Sequence, residues 1–234
     1  SPADLSNLPR TPGVYFFLNA RKEIVYIGKA TSLRARISSY WAKPENRQIT
    51  QFLSEVKLIR VRETPSALEA LILEANEIKR LQPRYNVLQK DDKKFVSIVV
   101  TRESFPQILV VRPTDKRKLP IAKSFGPYLS AYTAKLALKI LRRIFPYRCN
   151  QPVDSGRACI YVAMGLCPGT CVGLVDQATY HASVARIADF LAGNRSSVTR
   201  SLKRAMADAS KHQQYETAGK LRNQLFALDH IRDV

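Results

Sequence analysis

Acidic side chains are scarce: 19 Asp and Glu stand against 38 Lys and Arg in 234 residues, a net charge of +19 at pH 7. No apolar run approaches the ~18 residues of a membrane span. The first residues, Ser1-Pro2-Ala3-Asp4, show no basic segment followed by an apolar stretch, so no secretory signal is predicted and a cytoplasmic, nucleoid-associated chain is expected. Internal repeats and low-complexity tracts are absent, and histidine is limited to three residues. What is present, 45% apolar residues, is enough to build a core and excludes disorder throughout.

The basic surplus points to a polyanionic partner, nucleic acid before an anionic membrane. It is unevenly spread: +7 over residues 1–90, +9 over 91–150 and +3 over 151–234. The first two segments are therefore the expected electrostatic footprint, and the last is expected to pack or to meet a protein.

Gly13–Leu18 and Glu23–Ile27 are β-rich runs separated by the polar break Asn19–Lys22, which predicts an antiparallel hairpin. If Leu18 and Glu23 close the loop as partners, Tyr15 lies opposite Tyr26. A helix is expected from Thr31, with Leu33, Ile37 and Trp41 as its apolar stripe. Beside that stripe Lys29, Arg36 and Tyr40 recur at spacings of seven and four, a basic and phenolic row along one edge. A third strand fits Val56–Arg62, and Thr64-Pro65 offers an N-cap for a helix running to Leu81. Glu74 sits on the margin of that helix's buried stripe. It either bends out to water or, half-desolvated, needs a cation, a metal or a hydrogen bond.

Beyond the charged stretch Lys90–Lys94, strands are expected at Phe95–Thr101 and Gln107–Arg112, a basic loop at Lys116-Arg117-Lys118 and a turn at Phe125–Tyr128. The helix Ala131–Phe145 carries Lys135, Lys139, Arg142 and Arg143, which either track phosphates or form a solvated face. From Asp176 the pattern is helical and ends in a hairpin of Ser197–Ser210 and Tyr215–Ile231. All four cysteines, Cys149, Cys159, Cys167 and Cys171, fall within 23 residues as C-x9-C-x7-C-x3-C. Without an export signal, disulfides are not expected. Four thiolates suit tetrahedral zinc or an iron–sulfur cluster, and the spacing does not choose between them.

Several ordered blocks match a known family. Pro12-Gly13-Val14-Tyr15, Tyr26-Ile27-Gly28-Lys29-Ala30, Leu73-Glu74-Ala75-Asn76 and Pro83-Arg84-Tyr85-Asn86 resemble the GIY-YIG nuclease domain, specifically that of the UvrC subunits of the bacterial excinuclease. Phe125-Gly126-Pro127-Tyr128, Gly165–Gly169 and Cys171-Val172-Gly173 continue the likeness, and Met206–Leu228 is similar to the UVR motif through which that family meets UvrB. Within the motif, Tyr215-Glu216-Thr217-Ala218-Gly219 departs from the common aromatic-Glu-x-Ala-Ala pattern.

The resemblance implies an α+β chain. Its parts are a GIY-YIG domain with a three-stranded antiparallel sheet (1–90), a basic ββα module (91–146), a cysteine-rich segment (147–175) and a helical region with the UVR hairpin (176–234). It implies a metal-dependent endonuclease of nucleotide excision repair, incising damaged double-stranded DNA on the 3′ side of a lesion with UvrB, as a monomer. The chain stops at Val234, without the family's second nuclease domain, so one incision of the two is expected. In the implied mechanism Glu74 holds magnesium or manganese and Tyr26 is the general base, its phenolate favoured by nearby Lys29, Arg36 and the metal. Arg36 grips the phosphate, Lys29 adds charge, Tyr40 and Asn86 orient substrate or neighbours, and Tyr15, facing Tyr26, either joins the catalytic set or only packs. Lys29, Arg34, Arg36, Lys135, Lys139, Arg142 and Arg143 are the expected DNA contacts. Tyr215, Glu216, Leu221 and Arg222 are the expected partner contacts. A [4Fe–4S] cluster is implied at the cysteines, with zinc as the alternative. A stand-alone GIY-YIG endonuclease and a non-cleaving UvrB/DNA adaptor are the competing readings.

Overall fold

A run of apolar and aromatic residues, Val14-Tyr15-Phe16-Phe17-Leu18, makes Gly13–Leu18 (β1) the central strand of the first sheet, largely buried along its length. Ile24–Ala30 (β2) and Leu58–Glu63 (β3) flank it, both antiparallel, in the order β2-β1-β3. The computed structural model describes residues 5–42, 52–88, 95–116 and 118–231, with nothing described of the side chains of 87 and 88. The charged stretch Lys90–Lys94 and Arg117 of the basic loop lie outside the described residues, apart from Lys116 and Lys118. The chain forms two compact units, divided between Lys93 and Lys94. The segments 95–146, 147–175 and 176–231 thus share one unit.

The hairpin register differs from the expectation. Tyr15 pairs with Gly28 and Phe17 with Tyr26, a shift of two positions from the predicted pairing. Two features add up: Asn19 Oδ1 accepts from the backbone N–H groups of Arg21 (2.9 Å) and Glu23 (3.0 Å), which draws Glu23 into the loop and pairs Leu18 with Ile24, and a bulge between Phe17 and Leu18 supplies the second position. An even shift preserves the faces, so Tyr15 and Tyr26 remain on one side, ring centroids 6.2 Å apart.

That side packs on α1 (Leu33–Ala42), where Leu33, Ile37 and Tyr40 are buried with Tyr15, Phe17 and Phe52. The opposite side, Val14 and Ile27, packs on Ala70 and Ile78 of α2 (Ala67–Leu81). The N-cap of α2 is Ser66 rather than Thr64, since the Ser66 hydroxyl accepts from the Glu69 N–H at 3.2 Å. Thr64 instead donates to the Ser66 carbonyl. The short α3 (Arg84–Leu88) completes this unit.

The second unit holds another three-stranded antiparallel sheet, Val96–Thr101 (β4) between Ile108–Val111 (β5) and Ile121–Tyr128 (β6), in the order β5-β4-β6. The strand β6 replaces the predicted turn at Phe125–Tyr128. Proline is tolerated there because β6 is an edge, and the pairing with β4 shifts beside Gly126, whose φ is +112°. The Gly126–Pro127 peptide is cis. Following the single turn α4 (Pro113–Lys116), α5 (Ala131–Ile144) turns Ala134, Leu138 and Leu141 inward. Beyond the cysteine segment and its short α6 (Ile160–Ala163) come α7 (Gln177–Leu191), α8 (Arg195–Lys211) and α9 (Tyr215–Asp229). The last two form the predicted hairpin, with Leu202, Ala209, Leu221 and Leu228 buried. Among the described residues no helix is long and apolar enough to cross a membrane.

Candidate functional site

The free edge of β2 is where the conspicuous side chains meet. A strand edge exposes backbone N–H and C=O groups that need partners, and here side chains supply them. Asn86, itself buried, accepts from the Ile27 N–H (2.8 Å) and donates to the Ile27 carbonyl (2.9 Å). Two residues on, the Lys29 N–H donates to Glu74 Oε1 at 2.9 Å. Between them Gly28 lies under the ring of Tyr15, so close that a Cβ there would fall 2.2 Å from the Tyr15 hydroxyl. Ile27, Gly28 and Lys29 are therefore each held by a different side chain.

The strand's pleat sends Tyr26 and Gly28 to the α1 face, Ile27 and Lys29 to the α2 face. Lys29 belongs to β2, which runs through Ala30, so it does not share one helical row with Arg36 and Tyr40. On the α1 face three phenols cluster. The Tyr15 and Tyr40 hydroxyls are 2.8 Å apart, and Tyr26 shares a hydrogen bond with Tyr40. The exposed Arg36 lays its guanidinium 5.0 Å from the Tyr40 ring centroid, a cation–π contact.

Glu74 is 4% exposed, and its second oxygen accepts no hydrogen bond among the described residues. Burial pushes its carboxyl up from 4.5 to about 7, opposed by the Lys29 ammonium and the Lys29 N–H. Tyr26 senses the Glu74 charge, so the phenol and the carboxylate share one neighbourhood. Burial raises the Tyr26 phenol above its ordinary value, and Tyr40 and Glu74 raise it further. Arg36 opposes them but is outweighed. In the metal-free protein burial thus opposes the expected phenolate, and the bound ion on which that expectation also rests would have to offset it. Burial likewise raises Tyr15.

In the second unit the thiols of Cys149, Cys159 and Cys167 lie within 4.8 Å of one another. Cys171, fully buried, packs in the same cluster, and all four are free thiols. Desolvation pushes the Cys167 thiol up, but the backbone N–H groups of Gly169, Cys149 and Thr170 and the Cys159 thiol outweigh it, leaving it below its ordinary value. The donor set and its N–H donors fit a thiolate-bound metal centre.

Three family models match the chain in succession: a UvrC-like GIY-YIG domain over residues 11–87, the middle domain of the UvrC/Cho excinucleases over 95–190, and the UvrB/uvrC motif over 196–231. The chain belongs to the UvrC family. Among solved structures, the GIY-YIG N-terminal endonuclease domain of UvrC from Thermotoga maritima, bound to magnesium, is 36% identical over 35% of this chain and 90% of its own, TM-score 0.33. A point mutant of the same domain, bound to its divalent cation, is 35% identical over 35% of this chain and 89% of its own, TM-score 0.33.

Within this UvrC-family chain the expected DNA contacts fall into two groups. Lys135, Lys139 and Arg143 are exposed along α5. Arg142 is instead held between Tyr147 (3.8 Å) and Tyr161 (5.0 Å), and Arg34 donates to the Leu8 carbonyl at 2.8 Å, so both serve the fold. In the UVR hairpin Tyr215 is 70% exposed at the start of α9, and Arg222 is exposed. Glu216 pairs with Lys220 at 2.8 Å, while Leu221 is buried and faces inward.

Arg148 was not foreseen. Its buried guanidinium donates to Glu103 Oε2 (3.0 Å) and the Phe105 carbonyl (2.7 Å), tying the residue next to Cys149 to the β4–β5 loop. Its partners are over forty positions away, so no local pattern marks it.

Proposed function

We propose that this chain is a metal-dependent DNA endonuclease of nucleotide excision repair, hydrolysing a phosphodiester on the 3′ side of a lesion together with UvrB. The observation that carries the reading is the β2 edge, where Tyr26 and Glu74 are brought together by the pinning of Ile27, Gly28 and Lys29.

Phosphodiester hydrolysis needs a placed water, a charge clamp on the phosphate and help for the leaving oxygen. Glu74, buried and with one oxygen uncommitted, is the residue that would hold magnesium or manganese. Such an ion supplies Lewis acidity to the phosphate and leaving group when bound. Arg36, exposed and planar, grips the phosphate oxygens through its fork of donors. Lys29 adds positive charge from the strand edge. Tyr26 orients the attacking water and takes its proton. To do so it first releases its own proton to solvent, which Arg36 and a bound ion would favour, and the resulting phenolate accepts the water's proton and becomes the neutral phenol again.

The cysteine cluster is proposed to hold a [4Fe–4S] cluster or zinc in a structural role. Brown colour with absorption near ~400 nm identifies the cluster, and zinc by elemental analysis identifies the alternative. The UVR hairpin is proposed to bind UvrB through Tyr215 and the exposed turn of α9.

The test is incision of a lesion-bearing duplex in the presence of UvrB and magnesium. The wild type should nick one strand on the 3′ side, and Glu74→Ala should lose at least ~10²-fold in rate. Equal cutting by Glu74→Ala rejects the metal assignment.

A further inference from the structure

The last third of the sequence has a modest surplus of +3, yet its cations are not evenly placed. The antiparallel helices α7 and α8 enclose an open groove of about 550 Å³ lined by Arg186, Ser197, Arg200, Ser201, Arg204 and Asp208. Arg200 and Arg204 project from α8 one turn apart, and both are exposed. Arg186 reaches across from α7 and donates to the Ser201 hydroxyl at 3.4 Å. None of the three guanidinium groups has a carboxylate within ion-pair distance among the described residues. The groove's one acidic residue, Asp208, faces His212 at 3.6 Å at the far end.

We infer that this groove binds the phosphodiester backbone of DNA, as a contact surface separate from the nuclease domain, from the exposed cations of α5 and from the UVR hairpin's outer end. Three guanidinium groups without a carboxylate partner are donors that phosphate oxygens accept from, and the serines fix the walls, Ser201 by accepting from Arg186 and Ser197 by donating to Asp189 at 3.3 Å. From Ser197 to Asp208 the groove follows α8 for ~16 Å at 1.5 Å per residue. That length exceeds a single phosphate group and suits a run of them, spaced ~3.4 Å per strand along a duplex. An acidic protein segment is the other class of anion such a groove could take. The absence of any apolar side chain larger than alanine from its lining favours DNA, because protein interfaces are anchored by buried aromatic or aliphatic groups.

The proposal rests on DNA as the substrate, and its test is independent of cutting. Binding of the full chain to a fluorescent duplex is followed by anisotropy in EDTA across a salt series. The double variant Arg200→Gln/Arg204→Gln should weaken binding and make the slope of log K against log[salt] shallower by about 2, while the Lys pair at the same positions should retain the slope. Lys203→Gln, an exposed cation of α8 outside the groove, is the matched control and should change the slope by less than half as much. A slope unchanged in the double glutamine variant, or one reduced equally by Lys203→Gln alone, overturns the proposal. Transfer of the loss to UvrB binding, with the DNA slope intact, overturns it in favour of a protein. Because no metal or cleavage enters the measurement, failure here leaves the Glu74 incision test untouched.

Discussion

Gly28 shows how one hydrogen atom can control a site. Its Cα supports the Tyr15 ring, and a methyl group there would meet the Tyr15 hydroxyl at 2.2 Å and Cζ at 2.4 Å. Gly28→Ala must displace a ring packed against Phe17 and Tyr40, whose centroids lie 5.1 and 6.0 Å away. Overpacking of that kind costs about 1–3 kcal/mol, and shifting the neighbouring Tyr26 should lower incision about 10²-fold. Incision kinetics beside a thermal melt of the same variant check both effects.

Glu74 gives the residue scale a pH dependence. Its folded-state carboxyl, near 7, lies above the unfolded value of about 4.3, so folding favours the protonated form. The stability this contributes is complete below about pH 4.3 and is lost as pH rises through 7. In metal-free protein, melting temperature should therefore fall across that window more in the wild type than in Glu74→Gln. Magnesium should reverse the loss above pH 7 and bind progressively more weakly below it, because the proton competes for the same oxygens. Melting curves over pH 4–9 with and without magnesium test the sign.

At the scale of elements, the caps and edges separate what is local from what is not. Both Thr64 and Ser66 are residue types that start helices, and sequence alone favours Thr64 because Pro65 follows it. The chain uses Ser66, which is buried and accepts from the Glu69 N–H. Ser66→Ala should destabilise the first unit by about 1 kcal/mol, and Thr64→Ala by less, as read from chemical denaturation of each variant. The strand β6 escaped notice for a similar reason. Pro127 reads locally as a breaker, and only the position of β6 at the sheet edge makes it harmless. The hairpin register was likewise decided by Asn19, whose hydrogen bonds lengthen the loop, together with the bulge between Phe17 and Leu18.

For the whole molecule, two units imply that damage to one need not unfold the other. The cysteine cluster lies wholly in the second unit. Cys167→Ser, or removal of bound metal by a chelator, should lower the melting transition of the second unit by several degrees while that of the first stays in place. Calorimetry resolving the two transitions is the measurement. Net charge by segment proved a coarse guide at this scale. It marked the first two segments as the expected footprint, yet an arginine groove sits in the least basic third, because helix pairing gathers Arg186 with Arg200 and Arg204, while Asp189 and Asp208 beside them are engaged by Ser197 and His212.

The candidate site residues and the order of the parts were legible in the chain itself. Tyr26, Glu74 and Asn86 stand in ordered blocks, and the apolar stripe of α2 announces its buried face; in α1 the stripe places Leu33 and Ile37, while Tyr40, expected on the edge row, is buried and Trp41 is half-buried. These are properties of residue type and short spacing, which chain order carries intact. Tertiary structure alone decided which groups meet: Asn86 on Ile27, Glu74 on Lys29, Tyr15 over Gly28, Arg148 on the β4–β5 loop. It also set burial, through packing of distant segments, against the phenolate that local positive charge favours on Tyr26.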